Sequence, residues 1–260
     1  MPSFFHLPLL GAEEIEHGGV KTCGMGGGMI YWVRNMKPLT KLGEKQMDDG
    51  SLWELWERDG VLTIQRDGLP CANSFTYGSE ESLAEIAVSP ITRAGQPCIL
   101  IAGLGLSYGL AKVMQCLPKE KARFIVAEPI AEVVEWNRRY GEHTALWEDK
   151  RVSVENVSAA QLCTKRTGSL HAIIMRHTHA RCEMKLNEAQ AYFNALKGGS
   201  LLAISLAKSD KRLESTLRKA GFETSITPVP ASSKGKQQRM HILLLARRGR
   251  FVPFAERNPS

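Results

Sequence analysis

Short apolar runs alternate with stretches of mixed polarity from residue 98 to residue 246. The runs predict buried strands and the stretches between them predict helices, an alternation typical of a doubly wound, mostly parallel sheet of the α/β class. The predicted strands are 98–102, 123–127, 151–155, 170–175, 200–206 and 240–246. The predicted helices are 107–117, 130–140, 158–164, 186–197 and 209–220.

Glycines and a long loop mark further boundaries in this region. Gly198, Gly199 and Gly221 follow two of the predicted helices, where they are expected to act as C-terminal caps. The strand at 240–246 follows a loop rich in proline and lysine. We expect this strand to be antiparallel and to lie at an edge of the sheet.

A different pattern precedes the sheet. Apolar residues occur along 52–57 and 61–66, and an Asp-Gly pair follows each stretch. Asp-Gly between short apolar strands is a hairpin signal, so a small antiparallel β unit is predicted over 49–78.

These patterns divide the chain into four segments. Residues 1–48 show no clear period and are predicted to be irregular. After the small β unit, the α/β domain is predicted over 79–250, opening with a helix that Ser79 caps. Residues 251–260 form a tail.

A glycine turn follows the first strand of the α/β domain. Gly103, Gly105 and Gly109 let the backbone turn tightly and approach a ligand closely, where a Cβ atom would clash. The third glycine comes one residue later than in GxGxxG, a spacing typical of enzymes that use S-adenosylmethionine (SAM). The next strand ends in Glu128, a carboxylate expected to take the two ribose hydroxyls of an adenine nucleoside. The alternatives are a dinucleotide site or an ordinary loop for the glycines, and a surface acid for Glu128.

Composition places the chain among ordinary globular proteins. It has 260 residues, of which 43% are hydrophobic and 23% are charged, enough for one large α/β domain with a small appendage. No apolar run is long enough to cross a membrane, and the start lacks a basic leader. Because the six cysteines show no paired spacing, we expect reduced thiols in a cytoplasmic protein.

The net charge of +7 is concentrated near the C-terminus. Residues 208–250 contain eleven lysines and arginines and three acids. A solvated basic face is the favoured interpretation, because no aromatic-rich nucleic-acid motif accompanies the charge. An anionic partner, either RNA or an acidic substrate, is the alternative.

The order of these parts resembles the spermidine synthase family, and more closely the bacterial spermidine synthase-like proteins. The similarity extends over about residues 50–248. Its matching parts are 52–68, 78–87, 103–109, Glu128 with 134–138, 149–154 and 239–248. The resemblance implies a class I methyltransferase-like sheet behind a small β domain, with SAM or decarboxylated SAM as the bound nucleoside. It also implies a homodimer or a larger homo-oligomer.

Three departures from the family's motifs argue against a diamine acceptor. The Tyr-His pair of the family's first helix is Leu83 and Ala84 here. The family's Gly-Asp-Ala, whose Asp reads the adenine amine, is replaced by 157–159, so Ser158 is the expected residue beside the adenine. The family's catalytic Asp at the end of the fourth strand is Arg176 here. A cation at this position would repel the putrescine dication.

The end of the fourth strand is the expected acceptor side of the site. His177 and His179 are candidate general bases near neutral pH, and Arg176 is a candidate clamp for a carboxylate or phosphate. Glu80 and Glu85 on the first helix are expected to face the acceptor. The alternatives are solvated loop histidines, and acids that only interact with the helix dipole.

The two histidines and nearby Cys182 also resemble part of a metal site, but no fourth ligand is apparent and no metal is expected. The leading functional hypothesis is SAM-dependent methyl transfer to a small acceptor that is not a diamine; given Arg176, an anionic acceptor is one option. The second is aminopropyl transfer from decarboxylated SAM. The third is a non-catalytic protein that binds a nucleoside or RNA.

Overall fold

The computed structural model describes residues 37–177, 184–231 and 239–249, apart from the side chain of His177. Within the first 36 residues it describes the backbone of three short strands, which pair antiparallel in chain order. These strands are β1 (Ile15–His17), β2 (Val20–Thr22) and β3 (Val33–Arg34).

The predicted small antiparallel unit is confirmed as a four-stranded sheet whose strands pair in chain order. Its strands are β4 (Thr40–Gln46), β5 (Leu52–Arg58), β6 (Val61–Arg66) and β7 (Leu69–Asn73). The Asp-Gly pairs form the two predicted tight turns, with positive φ at Asp59, Gly60, Asp67 and Gly68.

This sheet begins at Thr40, before the expected boundary at residue 49, so the prediction of an irregular segment over 1–48 does not hold there. The strand β4 is an edge strand paired only with β5, and most of its residues are partly or fully exposed. Because an edge strand of this kind buries little apolar surface, its sequence lacks the alternation by which strands are recognised.

The second sheet confirms the predicted doubly wound α/β class. Its seven strands lie in the order β10-β9-β8-β11-β12-β14-β13, and the pairs from β10 to β12 are parallel. The strands are β8 (Cys98–Ala102), β9 (Arg123–Ala127), β10 (Val152–Glu155), β11 (Leu170–His177), β12 (Leu196–Leu206), β13 (Phe222–Pro230) and β14 (Met240–Arg248). The helices are α1 (Gly78–Val88), α2 (Tyr108–Cys116), α3 (Ala131–Tyr140), α4 (Ala159–Thr164), α5 (Leu186–Ala195) and α6 (Lys211–Lys219).

The last two strands differ from the prediction. The strand β14 is antiparallel as expected, but it lies between β12 and β13, so its placement at the edge is wrong. The edge strand is β13, which contains Pro228 and Pro230. Proline is tolerated on an edge strand because its missing N–H is not needed by a further neighbour, and for the same reason the segment does not read as a strand.

Two predicted helix caps are also wrong. Helix α5 ends at Ala195, and Gly198 and Gly199 lie within β12. Helix α1 begins at Gly78, which places Ser79 in the first turn and leaves the capping position to Tyr77. The hydroxyl of Ser79 is hydrogen-bonded to a distant strand, so it is not available to cap the helix. Gly221 does follow α6, with a φ of +104° that favours glycine.

Two hydrophobic clusters cover the two faces of the large sheet. One contains residues of α1, α2 and α3 together with Leu55 and Ile64 of the small sheet, so the small sheet shares this core. The other contains residues of α4, α5 and α6. The small sheet also contacts α3 at Gly43 of β4, where a Cβ atom would stand 2.5 Å from Trp136 Nε1. Only glycine leaves room for the indole there.

Over the described part of the chain, no helix has the length and apolar character to span a membrane. Among the described residues, Cys71, Cys98, Cys116 and Cys163 form no disulfide bond.

Candidate functional site

The glycine turn connects β8 to α2 at the carboxyl edge of the parallel strands. Its backbone is left-handed at Gly103 (φ +83°), Gly105 (φ +57°) and Ser107 (φ +65°). A non-glycine residue in this region is strained, and Ser107 is also buried. Gly109 lies in the first turn of α2, and a Cβ atom there would meet nothing within 4 Å. The turn therefore exposes open space beside Gly109 at the start of a helix.

Glu128 follows β9 and is bound to the backbone of this turn. Its Oε2 accepts a hydrogen bond from Leu104 N at 2.9 Å, and its Oε1 accepts one from Ile130 N at 3.1 Å. The carboxylate is buried, and burial raises the pKa of Glu128 while the two backbone donors lower it less. Each oxygen retains a further lone pair, so the arrangement leaves acceptor capacity for a hydroxyl ligand.

Asn137 of α3 fixes the other side of the turn. Its Nδ2 donates to Gly105 O and to Val133 O, both at 2.8 Å, and the residue is buried. The turn is thus held both by Glu128 and by α3. A backbone fixed in this way can present its groups to a ligand without first being ordered.

Arg176 and Glu80 meet directly over Gly105. Arg176 Nη1 lies 3.2 Å from Glu80 Oε1, which makes an ion pair between the end of β11 and the first turn of α1. A Cβ atom on Gly105 would stand 3.2 Å from Arg176 Nη1 and 3.9 Å from Glu80 Oε2. The structure therefore brings together three residues that the sequence assigned to three separate roles.

The electrostatics of this pair are unbalanced. Burial raises the pKa of Glu80, and Arg176 opposes that effect. Arg176 Nη1 is buried, and among the described residues it has no hydrogen-bond partner, since its approach to Glu80 has the distance but not the geometry of a hydrogen bond. A buried donor without an acceptor is costly, so this atom is suited to an added anionic or polar group.

Ser79 and His241 form a polar contact that the sequence did not predict. Ser79 Oγ and His241 Nδ1 are 2.9 Å apart, a hydrogen bond whose direction depends on the imidazole tautomer. Burial is the main cause that lowers the pKa of His241, and Arg239 and Arg176 lower it further. The sequence did not point to His241 because β14 was expected at the sheet edge. In the structure β14 lies inside the sheet, and His241 faces Ser79 of α1.

Two other predicted site residues lie apart from the pair. Glu85 is ion-paired with Lys112 of α2 at 2.7 Å, and its side chain is 55% exposed. Ser158 caps α4, in a reciprocal capping box with Gln161. The neighbouring Asn156 donates to Glu128 O at 3.3 Å, which places this loop beside Glu128.

A cavity of about 330 Å³ lies along α4, and no residue of the glycine turn lines it. Its lining residues are Glu155, Val157, Gln161, Leu162, Lys165 and Arg166.

The two histidines predicted as general bases are His177 and His179. The backbone of His177 ends β11, but its side chain, His179 and Cys182 lie outside the described residues. Within the described residues, no group of three or more His, Cys, Asp or Glu side chains is arranged to hold a metal ion.

Comparison with solved structures identifies the fold. Spermidine synthase from Thermotoga maritima superposes with a TM-score of 0.64 at 17% identity, over 90% of this chain and 79% of that chain. A probable spermidine synthase from Corynebacterium glutamicum gives 0.56 at 18% identity, over 80% and 79% of the two chains. The [4+2]-cyclase SpnF gives 0.50 at 14% identity, over 65% and 82%.

The chain therefore has the spermidine synthase-like, class I methyltransferase fold that the sequence predicted. No protein-family model matches it, and no curated protein matches it in sequence. Because unrelated reactions share a fold, likeness at this level of identity defines the architecture and leaves the reaction to the site residues.

Proposed function

We propose that the protein is a SAM-dependent methyltransferase that acts on a small acceptor other than a diamine. The observation that carries the proposal is the position of Arg176, whose guanidinium lies against the glycine turn at the carboxyl edge of the sheet. Ligands of open α/β sheets bind at this edge. The positive charge of Arg176 therefore lies where bound reactants would interact with it.

The residues present fit a bound adenine nucleoside. The left-handed turn leaves open space at Gly103, and Glu128 supplies acceptor oxygens at the end of β9, next to the end of β10 that Ser158 follows. A solved spermidine synthase with this fold binds the transition-state analogue AdoDATO. When bound, SAM supplies a methyl group on a sulfonium, which passes to an acceptor nucleophile and leaves S-adenosylhomocysteine.

Arg176 makes a diamine an unfavourable acceptor. Two like charges about 4 Å apart repel by about 4 kcal/mol at an effective dielectric constant near 20. Glu80 offsets part of this repulsion, but burial disfavours its ionised form. A neutral or anionic acceptor meets no such barrier. His177 and His179 remain the proposed bases for the acceptor proton.

Aminopropyl transfer is the second candidate, supported by the likeness to spermidine synthases. A non-catalytic role in binding a nucleoside or RNA is the third, supported by the basic C-terminal third of the chain. We further propose a cytoplasmic, homo-oligomeric protein, following the cysteine pattern and the resemblance.

The test is a transfer assay with the purified full chain. SAM labelled in its methyl group is incubated with small-molecule cell extract freed of protein, and products are followed by mass spectrometry. We expect a labelled acceptor together with S-adenosylhomocysteine, and neither with the Gly105→Val variant. Release of methylthioadenosine from decarboxylated SAM and putrescine, with no methyl transfer from SAM, would establish the second candidate instead.

A further inference from the structure

We propose that Arg176 and Glu80 bind the amino-acid end of SAM, the carboxylate on Arg176 and the ammonium on Glu80, and so select SAM over decarboxylated SAM. This inference rests on the proposed function and names the part of the donor that the site distinguishes. It assigns Arg176 to the donor, whereas the sequence pointed to the acceptor; the repulsion of a diamine then applies when decarboxylated SAM is bound, because that donor leaves the Arg176 charge without a carboxylate.

The placement of the pair supports this assignment. Both side chains lie within 4 Å of a Cβ built on Gly105, so they line the glycine turn and not a separate surface. They come from different elements, the end of β11 and the first turn of α1, and their charged groups meet there. Glu80 has a side-chain exposure of 9% and Arg176 of 23%, so both charges are largely removed from water.

The chemistry of the pair matches a zwitterion. A guanidinium binds a carboxylate through two N–H donors, and a carboxylate binds an ammonium as a charge-assisted acceptor. In the free protein the pair is incompletely satisfied, because Arg176 Nη1 has no hydrogen-bond partner among the described residues. A ligand carboxylate would supply the missing acceptor.

The alternative donor lacks that acceptor. Decarboxylated SAM keeps the ammonium group and has no carboxylate, so it would leave Arg176 unmatched and bring a further cation towards it. Methylthioadenosine lacks both charged groups and keeps the adenosine and the thioether. These ligands therefore separate recognition of the amino-acid end from recognition of the nucleoside.

The experiment measures dissociation constants by calorimetry for SAM, S-adenosylhomocysteine, decarboxylated SAM and methylthioadenosine. For the unchanged protein we expect SAM to bind at least tenfold more tightly than decarboxylated SAM. For Arg176→Gln we expect SAM binding to weaken at least tenfold, while methylthioadenosine binding stays within twofold. A charge-assisted hydrogen bond lost from a dry site has an effect of this size.

Two variants guard against a change in folding. The double variant Glu80→Gln/Arg176→Gln removes both charges of the pair and keeps side chains of similar size, so no buried charge is left unpaired. It should bind SAM and decarboxylated SAM equally well. Arg218→Gln is the matched control, because Arg218 pairs with Glu214 on the distant helix α6 and should leave all four constants unchanged.

Three results would overturn the proposal: equal affinity of the unchanged protein for SAM and decarboxylated SAM, equal weakening of SAM and methylthioadenosine by Arg176→Gln, or no binding of any of the four. Failure of the proposed function is distinguishable from the first two of these results. It would show as selective SAM binding with no methyl transfer to any acceptor.

Discussion

Two buried carboxylates lie at the same edge of the sheet, and they are neutralised in different ways. Glu128 accepts hydrogen bonds from two backbone amides, one within the glycine turn and one two residues further on. Glu80 instead faces a guanidinium on another strand, Arg176. Backbone donors remain whatever the side chains become, whereas a side-chain partner can be exchanged by one substitution. The Glu128 side of the site is therefore tied to the backbone of the fold, and the Glu80 side depends on one side-chain contact.

The largest expected effect tests the first half of this comparison. Glu128→Ala leaves two buried backbone N–H groups without an acceptor, so the free energy of unfolding should fall by about 2–4 kcal/mol, measured by urea denaturation without ligand. Glu135→Ala is the control, because Glu135 is an exposed partner of Arg138 and its loss should change stability by less than about 0.5 kcal/mol. Equal effects of the two substitutions would mean that Glu128 does not hold the turn.

A smaller effect is expected within the turn itself. Gly105→Ala places a Cβ in a left-handed conformation, which costs about 1–2 kcal/mol, and brings it to 3.2 Å from Arg176 Nη1. Gly109→Ala is the matched control from the same motif. It lies in a helix with open space around it, so it should stabilise the free protein by up to about 1 kcal/mol. If Gly105→Ala were as stable as Gly109→Ala, the turn would not need its left-handed backbone.

The smallest effect is a pH dependence on the Glu80 side. Burial holds the folded-state pKa of Glu80 above its ordinary value of 4.5, and Arg176 lowers it, so Arg176→Gln should raise it further. Below the unfolded pKa the carboxyl is protonated in both states, and the substitution costs little. Between the unfolded and the folded pKa the unfolded chain is ionised and the folded protein is not, so stability falls as pH rises; Arg176→Gln extends this range upward, and its loss of stability therefore grows until the pH passes the new folded pKa.

The measurement compares unfolding free energies of Arg176→Gln and the unchanged protein at pH 4 and pH 8. The loss should be greater at pH 8, by about 1.4 kcal/mol for each unit by which the substitution raises the pKa of Glu80. In a Glu80→Gln background there is no carboxyl to titrate at this position, so the loss caused by adding Arg176→Gln should be the same at both pH values. The same loss at both pH values would show that the two side chains do not interact.

Sequence patterns predicted most of the fold because burial leaves a local signature. The strands β8 and β9 begin and end where their apolar runs do, and the Asp-Gly pairs give the hairpins. The misplaced features have weak local signals. The exposed edge strand β4 carries no alternation, the prolines of β13 read as a loop, and Ser79 has the composition of a cap but bonds to His241.

The sequence by itself determined the α/β class, the glycine turn and the acid that follows the next strand. These features arise from residues close in the chain, whose backbone geometry and hydrophobic periodicity depend on their neighbours. Only the tertiary structure decided that Glu80 and Arg176 meet over Gly105, and that His241 joins Ser79. Those pairs are far apart in the chain, and their meeting depends on the order of strands in the sheet, which hydrophobic periodicity does not specify.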